Sequence, residues 1–125
     1  MEKTKINYDT LSSEEKIASI YLFPNEAKKD EDSDIRLEAY RALGFTEKAK
    51  KDKDWFVRLE AYRKLGFTEK AKKDEDRDIR LEAYRRLGFT KEAKKDKDRD
   101  IRLEAEKYFK IKEDYKKGGE PIIPL

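Results

Sequence analysis

The chain contains no cysteine and no histidine. The first absence removes disulfides, thiolate metal ligands and thiol nucleophiles together. The second removes the usual near-neutral general base and the commonest zinc and haem ligand, so any mechanism would have to rest on carboxylates, lysine or tyrosine. Long apolar runs are missing as well. IASIYLFP, residues 17–24, is too short to span a bilayer and follows no signal-like basic segment. Nor does one sign of charge dominate: 32 basic against 29 acidic residues leave a net charge of +3, too balanced for a general polyanion binder. These absences predict a cytoplasmic protein with no cofactor, no metal and no membrane span.

What the chain has is a repeat. The unit AKKDEDSDIRLEAYRALGFTEK starts at Ala27, returns at Ala49 and Ala71 in unbroken register, and returns once more at Ala93 in a form that decays after Glu104. The first and third copies share 18 of 22 residues. A strict period in this range, with no insertion between copies, marks a stacked array in which each unit buries its apolar side against its neighbours. Charged residues make up 49% of the chain, which would suggest disorder if the apolar residues were scattered. They recur at fixed offsets instead, so the charge belongs to the exterior of a thin core.

Residues 32–44, DSDIRLEAYRALG, read as one helix. Asp32, Asp54, Asp76 and Asp98 share an offset at which a carboxylate can accept from the free amides of the first turn and suits the positive helix end, so they read as N-caps. At 100° per residue Ile35, Ala39 and Leu43 form one stripe, which Leu37 and Tyr40 widen. Gly44, Gly66 and Gly88 are expected to end the helix in the left-handed conformation. Phe-Thr follows each glycine, and Thr46, Thr68 and Thr90 are expected to cap a second helix of one or two turns that buries Ala49, Ala71 or Ala93.

The expected fold is therefore all-α: a right-handed α-solenoid of 22-residue helical-hairpin repeats, each with one longer and one short helix, closed by N- and C-terminal capping helices. Residues 1–26 read as a degenerate N-terminal repeat in which Ser12 and Glu15 make a capping box. Residues 27–105 are the array. In 106–118 Lys110 stands where glycine should be, so the last helix is expected to run to Gly118 and cover the exposed face of the stack. Residues 119–125 are an apolar tail, PIIPL at its end.

The run D-x-D-x-x-[IV]-R-x-x-A-x-x-x-L-G resembles HEAT-like repeats, especially the short kind of the phycobilisome lyases, and is also similar to the leucine-rich repeat variant, an α-solenoid of a longer and a shorter helix. The resemblance covers residues 27 to about 105, although 22 residues is shorter than the usual unit of either family. It implies a ladder in which an Asp six residues before an Arg pairs with an Arg of an adjacent repeat. Asp30 and Arg36, Asp52 and Arg58, Asp74 and Arg80, and Asp96 and Arg102 match that spacing. The cysteine cluster that precedes some variant arrays is absent, and no residues outside the repeats resemble a chromophore site, so lyase activity is not implied.

Four sets of recurring residues could pack or work. The ladder arginines sit near the middle of the apolar arc, where a charge is tolerated only if paired, and so read as structural. Tyr40, Tyr62 and Tyr84 read as core with the hydroxyl reaching outward. Lys50, Lys51, Lys72, Lys73, Lys94 and Lys95, with Lys28 and Lys29, read first as a solvated face that suits the negative helix end, and otherwise as a basic stripe that a nucleic-acid backbone would need, though each pair is followed at once by Asp. Trp55-Phe56 departs from the repeat: Ser33-Asp34, Arg77-Asp78 and Arg99-Asp100 hold the equivalent places, so folding does not require aromatics there. The pair reads either as a contact surface or as packing against the tail or a homodimer mate. Arg63, Lys64, Arg85 and Arg86 are the expected polar surround.

Carboxylate pairs recur with the repeat and so read as caps and salt bridges, not as a tuned acid and base. Gly-rich phosphate loops, nucleophile elbows and calcium loops are absent from the sequence. The expectation is a non-enzymatic protein–protein interaction module, a small rigid scaffold with partner blocking as one use, monomeric or weakly dimeric. Nucleic-acid backbone binding through the lysines is the competing reading.

Overall fold

The computed structural model describes residues 6–118, and all their regular structure is helical. Residues 1–5 and 119–125, the latter carrying the expected apolar tail, lie outside the described residues. The α-helices are α1 (Ser13–Ala18), α2 (Pro24–Lys28), α3 (Ser33–Leu43), α4 (Trp55–Leu65), α5 (Arg77–Leu87) and α6 (Arg99–Lys116). Short 3-10 helices lie at Tyr8–Thr10, Glu47–Lys51, Glu69–Lys73 and Lys91–Lys95. Two compact units divide between Gly66 and Phe67.

The long helices start where the aspartates predict. Asp54 Oδ1 accepts from the Phe56 and Val57 amides at 3.0 and 3.1 Å, and Asp76 Oδ1 does the same for Asp78 and Ile79. Ser12 and Glu15 form the reciprocal capping box at the start of α1. The ends differ from expectation in detail. Gly44, with φ 103° and ψ 141°, lies outside the left-handed helical region, in a corner of backbone space open essentially to glycine alone. Its amide still closes the helix on the Tyr40 carbonyl at 2.8 Å, after which the chain leaves extended.

The second helix of each repeat is a five-residue 3-10 helix, and its threonine is not a side-chain cap. Thr46, Thr68 and Thr90 sit at the cap position without a side-chain cap bond. The segment is also short of room: Asp52 is already extended, with φ −60° and ψ 146°, to lead into the cap of α4. Five residues closed by i to i+3 bonds fit that gap.

Unit 1 has two apolar clusters. Tyr8, Ile20, Ala27, Ile35 and Ala39 form one, with Leu11, Phe23 and Leu43 against it; Leu37, Tyr40, Ala49, Val57 and Ala61 form the other, with Phe45 and Phe56 against it. In unit 2 the same offsets return as Tyr84, Ala93, Ile101 and Ala105, with Leu81 and Phe89. Alanine is buried at every one of these places because a larger side chain would hold neighbouring backbones apart.

Helix α6, 18 residues long, does run past the glycine position at Lys110 and ends at Lys116, two residues short of Gly118. Its extension does not cover the exposed face. Tyr108 packs on Phe89 with ring centroids 5.7 Å apart, and the Lys94 ammonium lies 4.6 Å from the centroid of the Phe109 ring, so the aromatics turn back onto their own unit. Leu103 stays 39% exposed, whereas its equivalent Leu37 is 6% exposed. Among the described residues no helix is long and apolar enough to cross a membrane.

Candidate functional site

Trp55 is the first residue of α4 and is 43% exposed. The Asp54 cap sets the direction of that first turn, and the turn sends Phe56 into the cluster of Leu37, Tyr40, Val57 and Ala61 while the indole stays at the surface. The two rings meet edge to face, 5.5 Å apart with planes at 76°, which steadies the indole without burying it. The aromatic pair is thus divided: Phe56 packs, and Trp55 presents.

Of the expected polar surround, Arg63 and Lys64 share unit 1 with Trp55, and Arg85 and Arg86 belong to unit 2. Arg63 and Lys64 are exposed on the last turn of α4, and Lys64, nine residues on, leaves the helix from the side opposite Trp55. In unit 2 Arg85 bonds Glu104 with both Nε and Nη2, and Arg86 lies 3.7 Å from Glu82 and over the Phe67 ring. Arg41 pairs similarly with Glu38 and Glu60. Exposed pairs of this kind contribute little to stability.

The ladder residues are where a charge has to be paired. Arg36 Nε and Nη2 donate to the two oxygens of Asp52 at 2.9 and 2.8 Å, while Nη1 donates to the Asp30 and Glu31 carbonyls. Arg80 repeats the fork on Asp96, both bonds at 3.0 Å, and reaches the Asp74 and Glu75 carbonyls. Arg58 Nη1 reaches the Asp52 and Lys53 carbonyls, and Asp74 receives the Asp76 amide. Asp30 is held by the Tyr8 hydroxyl at 2.6 Å and by Lys16 at 3.4 Å. Burial pushes the Asp52 and Asp96 carboxyls up, but the arginine forks and the amides two residues on outweigh it and hold both below the ordinary value. Burial, with the bond to Asp30, pushes the Tyr8 hydroxyl up.

The lysine stripe is divided. Lys50 and Lys72 are 9% exposed, ion-paired with Glu47 at 3.3 Å and Glu69 at 3.0 Å, and set over the Tyr62 and Tyr84 rings at 5.3 and 5.5 Å. They shield the tyrosines rather than face solvent, a role hidden in the sequence because the Glu lies three residues earlier on a turn that had read as purely solvated. Lys51, Lys73, Lys94 and Lys95 are exposed.

Sequence reasoning missed one apolar surface. Tyr21 and Leu22 are 74% and 77% exposed in unit 1, more than Trp55, within a stretch that had read only as part of a degenerate repeat. The only signal is that the two residues stand between the register positions that Ile20 and Phe23 fill. Among the described residues no cluster of three or more carboxylates could hold a metal ion. A depression of about 580 Å³ in unit 2 is lined by Lys72, Lys73, Tyr84, Lys91 and Glu92 among others. The chain matches no family model, no curated protein and no solved structure.

Proposed function

We propose that the protein is a non-enzymatic protein–protein interaction module, a right-handed α-solenoid of the HEAT-like kind that works in the cytoplasm by presenting a rigid face. The observation that carries this reading is Trp55: a large aromatic, 43% exposed, on a capped and packed helix, at a place where the other repeats have Ser or Arg. An aromatic already held by its neighbour loses little side-chain entropy on association, which is what makes such residues anchors. Phe56 sets the anchor's geometry from below. Arg63, Lys64, Arg85 and Arg86 supply polar contacts on their own parts of the surface, and residues 119–125 are not needed for this reading.

The test uses the chain's single tryptophan, whose fluorescence reports on this position alone. A partner captured from the native cell, purified and titrated back, should shift the emission and bind at least about tenfold more weakly to Trp55→Arg. Equal binding by the variant with no spectral change would reject the site. The second reading, phosphate-backbone binding, is favoured by the exposure of Lys51, Lys73, Lys94 and Lys95. It is weakened by the glutamates that hold Lys50 and Lys72, and it predicts affinity for arbitrary DNA or RNA that falls steeply with salt.

A further inference from the structure

Two rungs of the ladder are complete within single units, and they define what an arginine at this offset grips. Arg36 holds Asp52 bidentately, and Asp52 Oδ1 also receives the Asp54 amide at 2.9 Å; Arg80 holds Asp96, whose Oδ1 receives the Asp98 amide at 2.8 Å. Beside each fork a leucine meets an apolar ridge. Leu37 packs with Val57 and Ala61, and Leu81 packs with Ile101 and Ala105. The accepted segment therefore has one form in both cases: an Asp, a second Asp two residues on that caps the helix, Val or Ile five residues on, and Ala nine residues on.

Arg102 and Leu103 on α6 are the same two residues, and among the described residues no Asp-capped helix start lies opposite them within unit 2. Arg102 Nη1 reaches the Asp96 carbonyl at 2.7 Å, as its equivalents do, but Nε and Nη2 have no acceptor among the described residues. Leu103 is left exposed on the same face. The corresponding acceptor in unit 1, Asp30, is already taken by Tyr8 and Lys16, so a second copy of this chain does not offer a free aspartate of this kind at its first repeat.

We infer that Arg102 and Leu103 form a docking site for a helix start of another protein with the pattern Asp-x-Asp-x-x-(Val/Ile)-x-x-x-Ala. Charge complementarity selects the carboxylate, because an unpaired planar fork binds a carboxylate through two parallel bonds. The aliphatic position selects against merely acidic peptides, since Leu103 needs an apolar partner to leave water. The inference does not rest on Trp55.

The probe is a synthetic peptide of residues 71–88, which carries Asp74, Asp76, Ile79 and Ala83 in that pattern. It is titrated into the isotope-labelled full chain while the Arg102 Nε–H and Leu103 methyl signals are followed. Saturable shifts at both groups are expected, weakened at least about tenfold by Asp74→Asn in the peptide or by Arg102→Gln in the protein. Leu103→Glu, at an exposed position, gives the same loss should Arg102→Gln disturb folding. No shift at either group, or binding indifferent to these changes, overturns the inference. So does a concentration-dependent mass with the Arg102 signal already displaced, which would make a second copy the occupant. Binding that emerges only after removal of residues 119–125 also overturns it, by making the chain's own segment the occupant.

Discussion

Helices α4 and α5 share their length, their aspartate cap and their closing glycine, yet they open differently. Helix α5 begins Arg77-Asp78, and Arg77 reaches Asp98 and Asp100 at 2.9 and 2.8 Å; α4 begins Trp55-Phe56 and has no acidic residue in its first turn. Giving up that acid forfeits about 0.3–1 kcal/mol of favourable interaction with the helix dipole. Packing Phe56 against a core cluster returns a comparable or larger amount, on the order of 1.5–3 kcal/mol for a fully buried side chain. Trp55 has no such return, because nearly half of it stays in water. The difference teaches that one aromatic of the pair belongs to the fold and the other does not.

The comparison is broken most severely below the helix starts, at the rungs that both units share. Asp52→Ala in unit 1 and Asp96→Ala in unit 2 each leave a buried guanidinium without its anion, and each should cost about 3–5 kcal/mol in urea denaturation. A loss under about 1 kcal/mol would mean that water satisfies the fork. Acid should attack the same rungs. The Asp52 and Asp96 carboxyls are held below their unfolded value, so the stability they supply is complete above about pH 4 and is lost as pH falls through their folded values. With no histidine in the chain, the melting temperature should stay nearly level from pH 8 to 5 and then drop. Either aspartate variant should flatten that drop.

Smaller effects sharpen the contrast. Gly44→Ala and Gly88→Ala should each cost about 1–3 kcal/mol, since the φ values of 103° and 106° exclude a side chain although nothing lies near an added Cβ. Similar losses in both units would show that the closing turn does the same work in each. Trp55→Arg, which copies the start of α5 into α4, should change stability by no more than about 0.5 kcal/mol. Phe56→Asp should cost clearly more. Equal costs for the two would erase the division between anchor and core.

Much of this was legible in the residues. The aspartate caps, the Ser12–Glu15 box and the helix stripe are local features, set by a few neighbouring amides and by helical spacing, so they can be read from order alone. The short second helix was harder. Thr46 has the right chemistry for a cap, but no side-chain cap bond forms there, and the extended Asp52 that limits the segment to five residues is known only once the chain is folded. Lys50 and Lys72 misled for a related reason: a lysine on a charged turn reads as solvated until a tyrosine ring and a glutamate close over it. For the candidate site, the departure of Trp55-Phe56 from the repeat was visible at once. Which of the two rings stays outside was not.

The order of residues by itself determined an all-helical chain with fixed starts, because capping and the apolar stripe act over three or four residues and hardly depend on what lies beyond. Only the tertiary structure decided which charges are covered, which aromatic is presented, and that among the described residues Arg102 and Leu103 stay open on α6. Those outcomes depend on how separate segments meet, as in the arginine forks formed across sixteen residues, where burial raises the worth of a good pair and the cost of a missing one.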